Sequence, residues 1–165
     1  MVILLRKDLK PMEMTIEHVP STRIAYLRHT GPYGAANKDT MERLKAWAKD
    51  AQLLSDDSVI FGIAQDNPEQ TAPENCRYDA CLAVDTGFHT QDSPILFGNL
   101  TGGSYAVFTV AHTAQAIQNA WNDIFSELQR RSLIADFTKP VIERYAVKMI
   151  NNHKCEICVP LSGPL

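Results

Sequence analysis

The acidic residue with the most distinctive setting is Glu143, in the run Pro-Val-Ile-Glu-Arg-Tyr-Ala-Val at residues 140–147. Its β-branched residues and the proline at its first position predict a β-strand. Because side chains alternate between the two faces of a strand, Glu143 shares a face with Tyr145 and the flanking valines. A carboxylate between apolar neighbours is costly unless a partner compensates its charge.

Three kinds of partner could compensate Glu143: a buried arginine, a hydrogen-bond network or a cationic ligand. Our working hypothesis is the cationic ligand. The main alternative is a purely structural carboxylate paired with Arg77 or Arg28, since buried acids are usually paired. Tyr145 could hydrogen-bond the carboxylate or line a pocket.

The bulk composition is that of a globular protein of ordinary size. The 165 residues are 45% hydrophobic and 21% charged, and the net charge of −3 gives no basic footprint for nucleic acid. The apolar start of the chain is too short for a signal peptide or a membrane span, so we expect a cytoplasmic protein. Cys155 and Cys158 lie three apart in a strand-like run and would point to opposite faces, which suits neither a metal nor a disulfide. We expect free thiols, no metal and no cofactor.

Two segments of the chain show the same order of predicted elements: strand, strand, helix, strand, strand. They cover about residues 12–85 and 94–161, and a loosely attached arm of residues 1–11 precedes them. Strands are predicted at 12–18, 22–29, 58–64, 77–84, 95–100, 104–111, 140–147 and 154–160, and helices at 35–52 and 114–131 with Thr113 as the N-cap of the second. This order predicts an α+β fold with one antiparallel sheet of about eight strands and two helices on one face.

The apparent duplication suggests where a groove would lie. Aligning residues 58–64 with 140–146 places Phe61 and Glu143 at equivalent positions. Two halves side by side leave a cleft along their pseudo-twofold axis, and we expect Phe61 and Glu143 to face it from opposite sides.

Several short motifs occur in an order and spacing that together are distinctive. They are Gly31-Pro32-Tyr33, Gly62 with Asp66-Asn67-Pro68 and Thr71, Arg77-Tyr78-Asp79-Ala80, the run from Gly102 to Phe108, Trp121, and Pro140 with Glu143. From about Met12 to Leu161 the chain resembles the GyrI-like small-molecule-binding domain, also called the AraC-type effector-binding domain. The resemblance implies duplicated strand-helix-strand-strand units with a central ligand groove, within an effector-binding domain over residues 12–165.

The resemblance also implies site residues. Glu143 matches the family's central acidic residue, which meets cationic ligands, and Met41, Phe61 and Ile117 match ligand-lining positions. Trp121 and Phe61 could offer flat aromatic faces to a ligand, or could belong to the core. His112, at the start of the second helix, could also touch a ligand.

For function, the resemblance implies a free-standing effector-binding protein that captures amphipathic, cationic aromatic small molecules as a sensor related to transcription regulators. We expect no enzymatic activity, no direct binding of nucleic acid and no membrane contact. A transcription regulator or gyrase is a possible protein partner. The alternatives are a hydrolase that uses Glu143 as general acid or base in the same groove, and a gyrase-inhibitor-like protein.

Overall fold

The structure, a computed structural model, describes residues 12–92 and 94–163, so the predicted arm of residues 1–11 lies outside it. Within this range eight strands form one antiparallel sheet, accompanied by three α-helices and a short 3-10 helix. The strands are β1 (Met14–Val19), β2 (Thr22–Thr30), β3 (Val59–Ala64), β4 (Arg77–Ala83), β5 (Leu96–Leu100), β6 (Gly103–Ala111), β7 (Ile142–Ala146) and β8 (Lys154–Pro160). The helices are α1 (Ala35–Asp50), α2 (Ala114–Arg130) and α3 (Val147–Ile150), with the 3-10 turn at Pro73–Asn75.

The strand order is β1-β6-β8-β7-β3-β4-β2-β5. The first half of the chain supplies β1–β4 and the second half supplies β5–β8. When the strands are numbered one to four within each half, both edges of the sheet give the order first, second, fourth, third towards the centre, where β3 and β7 pair. The first strand of each half pairs with the second strand of the other half: β1 with β6, and β5 with β2. The predicted α+β fold is confirmed, and its two central strands meet where a groove between the halves was expected.

The two long helices pack on the same face of this sheet. Leu44 of α1 and Ile124 of α2 are fully buried, each in an apolar cluster with strand residues of its own half. Burying such a side chain contributes about 2 kcal/mol, so the apolar stripe of each helix fixes which side faces the sheet. The predicted N-cap is confirmed, since Thr113 Oγ1 accepts a hydrogen bond from the backbone N–H of Ala116 at 3.1 Å.

The other face of the sheet curls around a separate apolar cluster. This cluster joins Val19 of β1 to Leu100 of β5, which are strands at opposite edges. Arg144 of β7 lies on this face and donates hydrogen bonds to Glu156 at 2.8 Å and to Glu17 at 3.0 Å. Burial disfavours the charge of Arg144, but its hydrogen bonds to the two glutamates outweigh this and raise its pKa.

The largest departure from the predicted elements follows Glu143. β7 ends at Ala146, and the chain then forms the short helix α3, which the sequence pattern did not predict. The hydrogen bond from the backbone N–H of Asn151 to the carbonyl of Val147, at 3.0 Å, closes this turn. None of the helices in the described ranges is long and apolar enough to cross a membrane.

Candidate functional site

A large groove lies between α1 and α2, on the helix-covered face of the sheet. Its volume is about 1170 Å³, and residues of the central strands β3 and β7 form its floor. Small-molecule sites in proteins usually enclose about 300–1000 Å³, so the groove is large enough for an extended organic ligand.

Glu143 lies on the floor of this groove and accepts hydrogen bonds from two uncharged donors. Trp121 Nε1 of α2 donates to Oε1 at 3.0 Å, and the Tyr145 hydroxyl donates to Oε2. Of the two arginines considered as partners, Arg28 pairs with Asp79 at 2.7 Å and Arg77 with Asp66 at 2.9 Å.

Across the described residues, no ion pair includes Glu143. The interpretation of Glu143 as one half of a structural salt bridge with Arg28 or Arg77 is therefore wrong. A hydrogen-bond network holds the carboxylate in place. Three lysines line the same groove, Lys38, Lys45 and Lys139, but no cationic side chain of the described residues lies within 4 Å of the carboxylate.

The negative charge of Glu143 acts on its neighbours. Burial, together with this charge, raises the pKa of Tyr145 and of Tyr78 well above the ordinary value. Both phenols are therefore protonated at neutral pH and can act as hydrogen-bond donors. Burial and the same charge raise the pKa of the Cys155 thiol to about 11.

Four other predicted site residues line the same groove as Glu143: Met41, His112, Trp121 and Tyr145. Met41 comes from α1, and its side chain is buried. His112 stands at the exposed end of the groove, and its ring meets that of Tyr145 edge-on with a centroid distance of 5.7 Å.

Phe61 does not line the groove, and its predicted position there is wrong. It pairs across the sheet with Arg144, whereas its neighbour Gly62 pairs with Glu143. Directly opposed residues in an antiparallel pair share a face, so Phe61 points into the cluster on the other side of the sheet. The sequence alignment of the two halves was off by one residue, and Gly62 occupies the place expected for Phe61.

Ile117 also lies outside the groove. It is one turn before Trp121 on α2, but it packs against the cluster around Phe108 and Ile124 beneath that helix. Its predicted contact with a ligand is therefore not supported by its position.

The structure adds groove residues that the sequence analysis missed. Tyr78 of β4 reaches the groove beside Gly62, and alternation along β4 was a usable signal, because Tyr78, Ala80 and Leu82 share the face that packs on α1. Phe125 and Phe137 form an aromatic pair along the groove with ring centroids 5.8 Å apart. Phe137 is 79% exposed and lies in an irregular loop, where no periodicity could identify it.

Comparison with known proteins identifies what this architecture is similar to. The family profile described as the GyrI-like small molecule binding domain matches residues 12–162. The SPbeta prophage-derived protein YosT of Bacillus subtilis, named as a candidate transcriptional regulator, is 44% identical over 151 residues, which are 91% of this chain and 99% of YosT.

Solved structures share the fold at low sequence identity. SAV2435 bound to tetraphenylphosphonium has a TM-score of 0.58 at 16% identity, over 92% of this chain and 95% of that chain. A hydrolase encoded by lin2189 from Listeria innocua has a TM-score of 0.64 at 10% identity, over 96% of both chains.

Proposed function

Because the chain belongs to the GyrI-like small-molecule-binding family, we propose that its groove binds an amphipathic organic cation whose charge Glu143 neutralises. The observation that carries this proposal is the carboxylate on the groove floor, held by Trp121 and Tyr145 without an ion pair to any described residue.

The hydrogen bonds of Glu143 leave room for a ligand. An ionised carboxylate offers about four acceptor positions, and the two neutral donors occupy only part of them. Neither donor cancels the negative charge, so a cation brought into the groove gains an attraction that bulk water would screen. The Trp121 ring adds an aromatic surface on which a cation or a flat apolar group can stack.

The comparisons agree with a binding role. SAV2435, which shares the fold, holds the lipophilic cation tetraphenylphosphonium. YosT, the relative with 44% identity, is named as a candidate regulator, so we propose a sensing role related to transcription control. That a transcription regulator or gyrase is a protein partner stays a prediction. A location in the cytoplasm stays a prediction as well.

Hydrolysis in the same groove is the second candidate, because the lin2189 hydrolase has this fold and Glu143 with Tyr145 could act as an acid–base pair. The described residues that line the groove include no serine, threonine or cysteine. Covalent catalysis by a serine or threonine hydroxyl or by a thiol therefore has no candidate there, which favours binding over turnover.

The test is a titration of the whole chain with tetraphenylphosphonium. Calorimetry measures the Kd, and thermal unfolding measures the change in Tm. A ligand at 100 times its Kd adds about 2.7 kcal/mol to the free energy of unfolding, which raises Tm by about 5–10 °C in a chain of this size. Mass spectrometry of candidate ester and electrophilic ligands after incubation separates binding from hydrolysis. An unchanged Tm with this and other aromatic cations would overturn the proposal, and catalytic conversion of a ligand would favour the second candidate.

A further inference from the structure

Tyr78 presents a polar group to the groove that the protein itself does not use. The residue is only 9% exposed, yet it lines the groove. Its hydroxyl makes no hydrogen bond within the described ranges, in contrast to the Tyr145 hydroxyl, which donates to Glu143. The hydroxyl oxygen itself is not among the fully buried atoms, so it is accessible from the groove and free to bind a polar atom of a ligand there.

The Tyr78 hydroxyl lies close to Glu143 because the intervening residue has no side chain. Gly62 is paired with Glu143 across the two central strands. A Cβ atom on Gly62 would lie 2.6 Å from the Tyr78 hydroxyl oxygen, closer than such atoms approach. Gly62 therefore keeps open the space in which the phenol and the carboxylate face the same part of the groove.

The groove contains a second unused polar group. Asn37 of α1, one turn before Met41, lines the groove, and its Oδ1 atom is buried without a hydrogen-bond partner in the described structure. Buried polar atoms in native proteins nearly always have a partner, either in the protein or in bound water or ligand. The unpartnered acceptor at Asn37 and the accessible phenol donor at Tyr78 together indicate a ligand with polar atoms of its own.

We infer that the ligand is an organic cation that also carries a hydrogen-bond-accepting oxygen near its charged centre, and that the Tyr78 hydroxyl binds this oxygen. This inference rests on the proposed function, since it takes Glu143 as the site of the positive charge. It makes Tyr78 a specificity-determining residue, which separates oxygen-bearing cations from purely lipophilic ones such as tetraphenylphosphonium.

A matched pair of probes tests the inference. Benzoylcholine carries an ester group between its phenyl ring and its trimethylammonium group, and (4-phenylbutyl)trimethylammonium replaces that linker by four methylene groups. One neutral hydrogen bond contributes about 0.5–1.5 kcal/mol, so we expect the wild-type chain to bind benzoylcholine about two- to twelvefold more tightly. In Tyr78→Phe the two affinities should become equal, while tetraphenylphosphonium affinity stays within about twofold.

Tyr33→Phe is the matched control. Tyr33 also lines the groove, but its hydroxyl already donates to the carbonyl oxygen of Arg77 at 2.8 Å. The preference for benzoylcholine should therefore survive in Tyr33→Phe. Chromatography of the mixture checks that the ester remains intact during the titration.

The possible failures are distinguishable. Equal affinities of wild type for the two ammonium probes, or a preference that persists in Tyr78→Phe, overturn the role of Tyr78. If tetraphenylphosphonium still binds wild type and is lost in Glu143→Gln, the proposed function survives that failure. If none of the three cations binds wild type, both the inference and the proposed function are wrong.

Discussion

Replacing Glu143 by glutamine removes the charge from the groove floor at nearly constant size. The amide oxygen can still accept from Trp121 Nε1, and the amide nitrogen can donate to the Tyr145 hydroxyl oxygen, so both contacts of the wild-type carboxylate have a substitute. We therefore expect Glu143→Gln to fold normally and to lose affinity for organic cations.

The expected loss follows from the setting of the carboxylate. Two opposite unit charges 4 Å apart attract by about 4 kcal/mol at an effective dielectric constant of about 20. Desolvation of both groups offsets part of this attraction, and we expect a net loss of about 2–3 kcal/mol, or roughly 30- to 150-fold in Kd. The free energy of unfolding of the ligand-free variant should lie within about 1 kcal/mol of wild type, because the substitution also relieves the burial of an uncompensated charge.

Calorimetric titration with tetraphenylphosphonium measures this loss, and Glu42→Gln is the control. Glu42 lines the same groove, but it is exposed on α1. Exposed charges are screened by salt and contribute little, so Glu42→Gln should change Kd by no more than about twofold at 0.15 M salt.

Two outcomes would refute the reasoning. One is an unchanged Kd in a folded Glu143→Gln variant, which would show that the floor carboxylate does not meet the cation. The other is an equal loss in Glu143→Gln and Glu42→Gln, which would show that the overall charge of the groove matters and the position of the carboxylate does not.

Three further predictions follow from other parts of the structure. Gly62→Ala should displace the Tyr78 hydroxyl and lower both the affinity for benzoylcholine and the free energy of unfolding, the latter by about 1–3 kcal/mol in urea denaturation; wild-type values of both would contradict the close contact. Phe137→Ala should weaken the binding of aromatic cations several-fold without lowering Tm, because the ring is largely exposed when no ligand is bound. Unchanged affinity would show that Phe137 does not contact the ligand. Two neighbouring arginines lower the pKa of Glu127 to about 2, so its stabilising effect is complete above about pH 5 and disappears as the pH falls towards 2. Urea titrations over this range should show a flatter pH dependence in Glu127→Gln, and parallel profiles would disprove that contribution.

Most elements of the fold were predictable because their signals are local. The apolar stripe of α2 and the cap at Thr113 lie within one segment, and the alternation of the strands gave bounds that differ from the structure by about one or two residues. Glu143 and Tyr145 were placed on one face by the same alternation, and both line the groove. α3 was missed because four residues are too few for a helical period to be visible.

The errors concern contacts between distant segments. Whether Phe61 or Gly62 faces the groove depends on how β3 pairs with β7, and no local pattern in either strand encodes that pairing. Tyr78 becomes a groove residue only because β4 lies next to β3, and Phe137 because its loop folds back along α2. These contacts depend on which strands pair and in what register, whereas the sequence pattern predicts only where the strands lie along the chain.

The neighbours Glu143 and Arg144 place opposite charges on opposite sides of one strand. If β7 slipped by a single position against β3 and β8, every side chain would exchange sides, so the guanidinium would enter the cavity and the carboxylate would enter the apolar interior. The attachment of Arg144 to Glu17 and Glu156 opposes that exchange. The register of this strand thus decides which charge faces the groove. A one-residue insertion before the strand that shifted this register would place Arg144 in the groove and break both of its ion pairs.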